Sequence, residues 1–237
     1  MSFHSVARTH VGRRRRLNED AFLSRPDLGL WAVADGMGGH DRGEVASAMA
    51  TQRLADCPAD LDLDGRGLWA RLELQKVNQQ LIALAQAGEE QKPIGSTVVV
   101  LAAEATRFLC LWAGDSRAYR VRQGELVQLT HDHSLVQRLV DAGVLDPLDA
   151  DNHPDSHVIT RAVGIDAALQ LDVTQGEVLA GDRFLLASDG LTRLVSRKEI
   201  LEGLRSNDLE AAADRWIEMA LARGAPDNVT LVAVRAA

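Results

Sequence analysis

The chain has 237 residues, 46% of them hydrophobic and 4% aromatic, with a formal net charge of −8; this is enough apolar material for one substantial core. An acidic balance with so few rings excludes nucleic acid as the bulk partner, because phosphate backbones favour basic surfaces and single strands stack on aromatics. The two cysteines, Cys57 and Cys110, suit a reducing compartment without a disulfide framework; the chain has neither the roughly 18 uninterrupted apolar residues of a spanning helix nor the ~7–15-residue apolar stretch of a secretory signal, so the expected setting is cytoplasmic, with no membrane partner.

Short β-branched or apolar runs bounded by Gly or Asp predict strands over 5–9, 20–24 and 28–34. An Ala-rich helix over 44–54 follows, then a longer one over 68–87 that places Leu68, Leu72, Leu74, Val77, Leu81, Leu84 and Ala85 near one face. Just before it, Gly65-Arg66-Gly67 mimics a dinucleotide loop, but the acidic stretch Asp60 to Asp64 would repel a pyrophosphate, so it reads as the start of a helix. Further strands are predicted over 97–103, 107–112, 117–122 and 126–129, a helix over 134–142, and strands over 157–161, 171–178 and 182–187. Helices over 197–204 and 209–222 and a strand over 229–234 complete the chain. Strands joined by tight turns, with helices in pairs, argue for antiparallel pairing and against βαβ units. The expected fold class is α+β: a four-layer α-β-β-α sandwich of two antiparallel sheets flanked by helices. It is read as one domain over 1–237, with an irregular flap at about 143–160.

Asp35, Asp115 and Asp189 each follow an apolar run, and Asp227 precedes one. Carboxylates gathered at the mouth of a packed sheet lose hydration and repel one another, so such a set calls for a positive partner. Hard divalent cations fit, because they take carboxylate, carbonyl and water oxygen. The glycines of Asp35-Gly36-Met37-Gly38-Gly39-His40 let backbone approach an ion closely, and Ala187-Ser188-Asp189-Gly190 repeats the strand-Asp-Gly design. Upstream, Asn18-Glu19-Asp20 adds two acids. Arg13, Arg14 and Arg16 read as a solvated stretch, whereas the planar fork of Arg15 suits a phosphate dianion. Six residues rather than five separate Cys110 from Arg117, which weighs against cysteine-dependent phosphoryl chemistry, and the lack of a G-x-x-x-x-G-K loop or G-x-S-x-G elbow weighs against nucleotide hydrolysis and serine hydrolase action.

In order and spacing, R-x-x-N-E-D from Arg15, DGMGGH from Asp35, AGDSRAY from Ala113, ASDGL from Ala187 and PDN from Pro226 resemble the metal-dependent protein Ser/Thr phosphatases of the PPM, or type 2C, family, and most of all its small stand-alone bacterial members. The similarity runs from about Val6 to Val234. It implies a centre of two Mn²⁺ or Mg²⁺ ions between the sheets, with Asp35 bridging both, Asp189 and Asp227 on the first, and the Gly36 carbonyl and Asp20 on the second. Asp20 would act directly or through water, with Glu19 as the alternative. Asp115 would join Asp189 at a weaker third ion, and Arg15 would bind the phosphate. Eukaryotic members carry a histidine where this chain has Met37; His40 in the same loop is the candidate proton donor, against a reading in which it only packs the loop.

The implied reaction is hydrolysis of phosphoserine and phosphothreonine in phosphorylated proteins by water that the metals activate. The implied partner is a Hanks-type Ser/Thr kinase with its substrates, in a secretion-associated phosphorylation circuit. Two competing readings are a catalytically silent domain that binds metal or phosphopeptide and another two-metal phosphoesterase. Every matched acidic position is filled, which weighs against the first, and the scarcity of aromatics weighs against a nuclease.

Overall fold

The computed structural model describes residues 2–38, 42–88 and 92–237. In chain order its elements are β1 (Phe3–His10), β2 (Asp20–Arg25), β3 (Leu30–Gly38), α1 (Gly43–Ala55), α2 (Leu63–Ala87), β4 (Ile94–Ser96), β5 (Val98–Glu104), β6 (Arg107–Ala113), β7 (Arg117–Arg122), β8 (Glu125–Gln128), α3 (Leu135–Asp141), β9 (Asp172–Glu177), β10 (Arg183–Ala187), α4 (Asp189–Thr192), α5 (Arg197–Leu204), α6 (Leu209–Ala222) and β11 (Val229–Ala236).

One sheet runs β1-β11-β10-β7-β8 and the other β2-β3-β5-β6-β9, with β4 paired to the far end of β3. Every pairing is antiparallel. The period of two along each strand then sorts side chains into layers. On β3, Trp31 and Val33 face the other sheet while Leu30, Ala32 and Ala34 face α1 and α2. On β10, Phe184 and Leu186 face the first sheet's partner while Leu185 and Ala187 pack under α4, α5 and α6. Phe108 and Phe184 meet edge to face across the gap between the sheets, with ring centroids 5.4 Å apart. The result is the four-layer α-β-β-α sandwich expected of the strand order.

Helix starts follow from their caps. Asp62 accepts from the Gly65 amide at 2.7 Å and caps α2, so both glycines lie in its first turns and no phosphate loop forms there. Gly67 lets α2 pack closely on the sheet, since a Cβ would stand 3.1 Å from the Leu109 side chain, which would have to give way. Ser196 and Glu199 close a reciprocal capping box at α5.

Three expectations are corrected. The buried face of α2 runs through Leu63, Gly67, Ala70, Leu74, Val77 and Leu81, at steps of three and four; Leu68, Leu72 and Leu84 lie on exposed positions, because they fall on a second apolar stripe turned away from the sheet, and the helix begins at Leu63, five residues before the predicted start. Residues 157–161 form no strand: Ile159 makes only an isolated bridge to Ser134, and the amides of Leu135 and Thr160 bond to Val158 and His133, which ties the segment to the start of α3. The strand predicted from Leu28 begins at Leu30, since Gly29, at φ +60°, completes a tight turn closed by Leu28 N–H to the Arg25 carbonyl.

Candidate metal centre

Antiparallel pairing carries the acidic turns to one end of the sandwich. Asp20 opens β2 and stands directly across from Asp35 on β3, and Asp35 continues the two-residue step of Trp31 and Val33 on the face between the sheets. From the other sheet, Asp189 follows β10, Asp227 precedes β11, and Asp115 lies in the turn from β6 to β7. Two strand ends and three turns thus deliver five carboxylates to one crevice. Asp35 interacts electrostatically with the other four.

The main chain around them is pinned. The Asp35 amide donates to Thr97 Oγ1 at 3.1 Å, and its carbonyl accepts from the Thr97 amide at 2.9 Å and from Ser96 Oγ at 3.0 Å. Across the gap, Ser188 Oγ donates to Asp20 Oδ2 at 2.8 Å while accepting from the Thr230 amide at 3.1 Å, so one hydroxyl links both sheets at the floor of the site. Asp20 Oδ1 is buried with no hydrogen-bond partner. Gly36 donates to the Glu19 carbonyl at 3.0 Å, and a Cβ on it would come within 2.1 Å of the Gly43 carbonyl oxygen and 2.6 Å of that of Glu19. Only glycine fits between these main-chain oxygens. Glu19 itself reaches the start of α1, where Oε1 accepts from the Gly43 amide at 3.1 Å; it is Asp20 that sits in the field of Asp189 and Asp227.

Desolvation is the dominant force on these acids. It pushes Asp20 and Asp115 up to about 7, with neighbouring carboxylates adding to the rise, and it holds Asp35 well above the usual carboxylate range. Asp189 is raised less freely, because the Arg193 guanidinium beside it favours the ionised form. Arg15 Nη2 donates to Asp227 Oδ2 at 2.8 Å at the crevice rim, half exposed to solvent. Behind the rim, the Asn228 carboxamide accepts from the Glu19 amide and donates to the carbonyls of Val11 and Leu17, fixing the loop that carries Arg15 to the start of β11.

Among the described residues, no three carboxylate, thiol or imidazole side chains stand ready to hold an ion on their own. The crevice nonetheless fits hard cations: it holds an orphaned buried carboxylate oxygen, acids driven toward protonation by desolvation and mutual repulsion, and main-chain oxygens packed against Gly36. Of the residues singled out in the sequence, Asp20, Asp35, Gly36, Asp115, Asp189, Asp227 and Arg15 come together here; His40 lies outside the described residues. Ser188, Thr97, Asn228 and Arg193 were not anticipated. Ser188 and Asn228 sit inside the quoted motifs and Thr97 at the head of a predicted strand, all as small polar residues to which only tertiary pairing gives a role. Arg193 had one legible signal, its place four residues after Asp189.

A family model described as Protein phosphatase 2C matches residues 9–230. The chain is 36% identical over 239 residues to the serine/threonine phosphatase stp of Listeria welshimeri, spanning 98% of this chain and 95% of that protein. Among solved structures, PppA of Pseudomonas aeruginosa, described as a key regulatory component of T6SS, superposes with a TM-score of 0.92 at 40% identity, over 100% of this chain and 99% of its own. The catalytic domain of the serine threonine protein phosphatase PstP, in complex with 2 manganese ions, gives a TM-score of 0.85 at 37% identity, over 99% and 98% of the two chains.

Proposed function

The chain belongs to the protein phosphatase 2C family, and we propose that, as a protein serine/threonine phosphatase dependent on Mn²⁺ or Mg²⁺, it uses this crevice as its active site and acts as one domain over 1–237. The reading is carried by the convergence of Asp20, Asp35, Asp115, Asp189 and Asp227 from both sheets. In it Asp35 would serve both of two ions, Asp189 and Asp227 would hold the first, the Gly36 carbonyl and Asp20 would hold the second, and Asp115 with Asp189 would serve a weaker third. When bound, such ions supply the charge that brings the pKa of water near neutrality and offsets the negative phosphoryl oxygens.

The chain's own residues do the rest. Arg15 presents guanidinium donors at the rim for a phosphate dianion, and its bond to Asp227 ties the side chain to the acidic cluster before substrate arrives. Ser188 fixes the Asp20 carboxylate and Thr97 pins the main chain at Asp35, so the strand ends that carry these acids need not reorganise during the reaction. His40 hands a proton to the departing serine or threonine oxygen, a task suited to a group that titrates near neutral pH.

The substrates in this reading are phosphoserine and phosphothreonine proteins in the cytoplasm. The enzyme would reverse a Hanks-type kinase within a secretion-associated circuit, and the similarity to PppA supports that setting. The test is phosphate release from p-nitrophenyl phosphate and a phosphothreonine peptide. Turnover is expected to require Mn²⁺ and to vanish with EDTA, Asp35→Ala or Asp189→Ala. Metal binding by folded protein without turnover would favour the silent domain instead.

A further inference from the structure

Arg13, Arg14 and Arg16 read in the sequence as a solvated stretch, but the fold removes Arg13 from it. Arg13 Nε donates to the Leu221 carbonyl at 2.8 Å, just as Arg15 Nη2 is taken up by Asp227. Arg14 and Arg16 are exposed on either side of Arg15 and make no hydrogen bond or ion pair among the described residues. The loop that displays them is pinned at both ends. The Asn228 carboxamide donates to the carbonyls of Val11 and Leu17, each at 2.9 Å, and the Arg13 amide donates to the Ala225 carbonyl at 2.8 Å. Gly12, at φ +80°, lies so close to the turn before β11 that a Cβ would stand 2.1 Å from the Asp227 carbonyl oxygen. Two unpaired cations therefore project from a fixed main chain at the rim of the crevice, and less freedom is lost when their guanidinium groups are engaged.

We infer that Arg14 and Arg16 form a subsite for acidic side chains flanking the phosphorylated residue, so that the enzyme selects acidic phosphopeptide segments. The inference rests on reading the crevice as the phosphatase active site with Arg15 at the phosphate. Consecutive Cα atoms of the loop stand about 3.8 Å apart, and an extended substrate advances about 3.3 Å per residue. A phosphate at Arg15 therefore brings the neighbours of the phosphorylated residue within reach of Arg14 and Arg16. Charge decides which neighbours are favoured. The chain as a whole, at −8, repels an acidic segment at long range, whereas two guanidinium groups at the rim attract it locally. Neither arginine has to leave a protein partner to do so, and a carboxylate suits the planar fork. Basic neighbours meet the same two cations and are disfavoured, which makes the pair a device of selection as well as attraction.

Steady-state kinetics in Mn²⁺ test this with phosphothreonine peptides that differ only beside the phosphothreonine, Glu in one set and Lys in the other. Wild type is expected to favour the Glu peptides about tenfold in kcat/KM, the scale of two exposed ion pairs. The difference should lie in KM and shrink at high salt. The double variant Arg14→Glu, Arg16→Glu should reverse the preference while turnover of p-nitrophenyl phosphate, which has no flanking residues, stays at the wild-type rate. The double variant Arg14→Lys, Arg16→Lys should keep most of the preference, because it keeps the charge. Equal rates on the two sets in wild type, or a preference that survives charge reversal, would overturn the proposal. So would an equal loss on peptides and p-nitrophenyl phosphate in the charge-reversed variant, since the arginines would then serve the loop and not the substrate. Fluorescence polarisation of the same peptides reads the preference as affinity, which tests it without turnover. The phosphatase reading is judged separately, by Mn²⁺-dependent turnover of p-nitrophenyl phosphate in wild type alone.

Discussion

Removing the metals should turn the acidic cluster into a pH-dependent liability. Asp20 and Asp115 rise from 3.8 to about 7 in the folded chain, first through desolvation and then through neighbouring carboxylates, so the folded state binds more protons than the unfolded state between those two values. The sign follows: stability from these protons is fully present below the unfolded pKa and is lost as pH rises through about 7. For Asp20 the full rise corresponds to about 4 kcal/mol at ~1.36 kcal/mol per pH unit, of which the roughly two units between pH 5 and about 7 account for about 3 kcal/mol, or about 5–11 °C in Tm for a chain of this size. Thermal melts in EDTA from pH 5 to pH 8 should therefore fall as pH rises. Carboxylates held low by arginine, such as Glu199 and Asp214, act only below this window. His133, lowered by burial, acts in the opposite direction on the acid side. Asp20→Asn shares these background groups and lacks the Asp20 proton, so its curve should be flatter than that of wild type. With saturating Mn²⁺ the dependence should reverse, because ligation needs ionised carboxylates. Parallel wild-type and Asp20→Asn curves in EDTA would refute the reasoning.

Arg15→Ala should raise KM roughly tenfold with a smaller effect on kcat, as expected of lost phosphate binding, and steady-state kinetics on the phosphothreonine peptide will read the split. If His40 donates a proton, His40→Ala should cost about tenfold or more on phosphothreonine and much less on p-nitrophenyl phosphate, whose leaving group needs no acid; equal losses would remove that role. Gly36→Ala should abolish Mn²⁺-dependent thermal stabilisation, since its Cβ would meet the Gly43 carbonyl at 2.1 Å, whereas Gly124→Ala, with nothing within 4 Å, should keep it.

The acids of the site were legible because each ends or begins an apolar run. In an antiparallel sandwich, alternate strand ends fall on one side, so the order of the motifs already implied that Asp35, Asp115, Asp189 and Asp227 meet. The choice between Glu19 and Asp20 was not legible. Adjacent residues on an extended strand point to opposite faces, and only pairing of Asp20 with Asp35 fixes which acid enters the crevice. Leu68, Leu72 and Leu84 misled for a related reason: hydrophobicity gives the pitch of a helix but not which of two apolar stripes meets the sheet, and Leu74, Val77 and Leu81 won that place. Residues 157–161 carry a strand-like composition, yet their main chain is engaged by the segment entering α3, through the bridge of Ile159 to Ser134 and the bonds of the Leu135 and Thr160 amides to Val158 and His133.

The same layering explains how a fold can tolerate five converging acids. The contacts that hold the sheets together, Trp31, Phe184, Leu101, Leu186 and Val232, lie deeper in the gap and are buried, whereas the acids lie beyond the last apolar layer, where Ser188 Oγ and Thr97 Oγ1 begin the polar floor. Truncating a core ring such as Phe184 to Ala would cost about 3–5 kcal/mol, comparable to the electrostatic cost of one desolvated carboxylate, so the sandwich carries the cluster only by separating the two tasks in depth. A cation at the crevice then relieves the charge without touching the apolar layer. Metal affinity and fold stability thus become linked through the carboxylates, and mutations of the core should shift both metal-free and metal-bound melts equally, while mutations of the acids should change the gap between them.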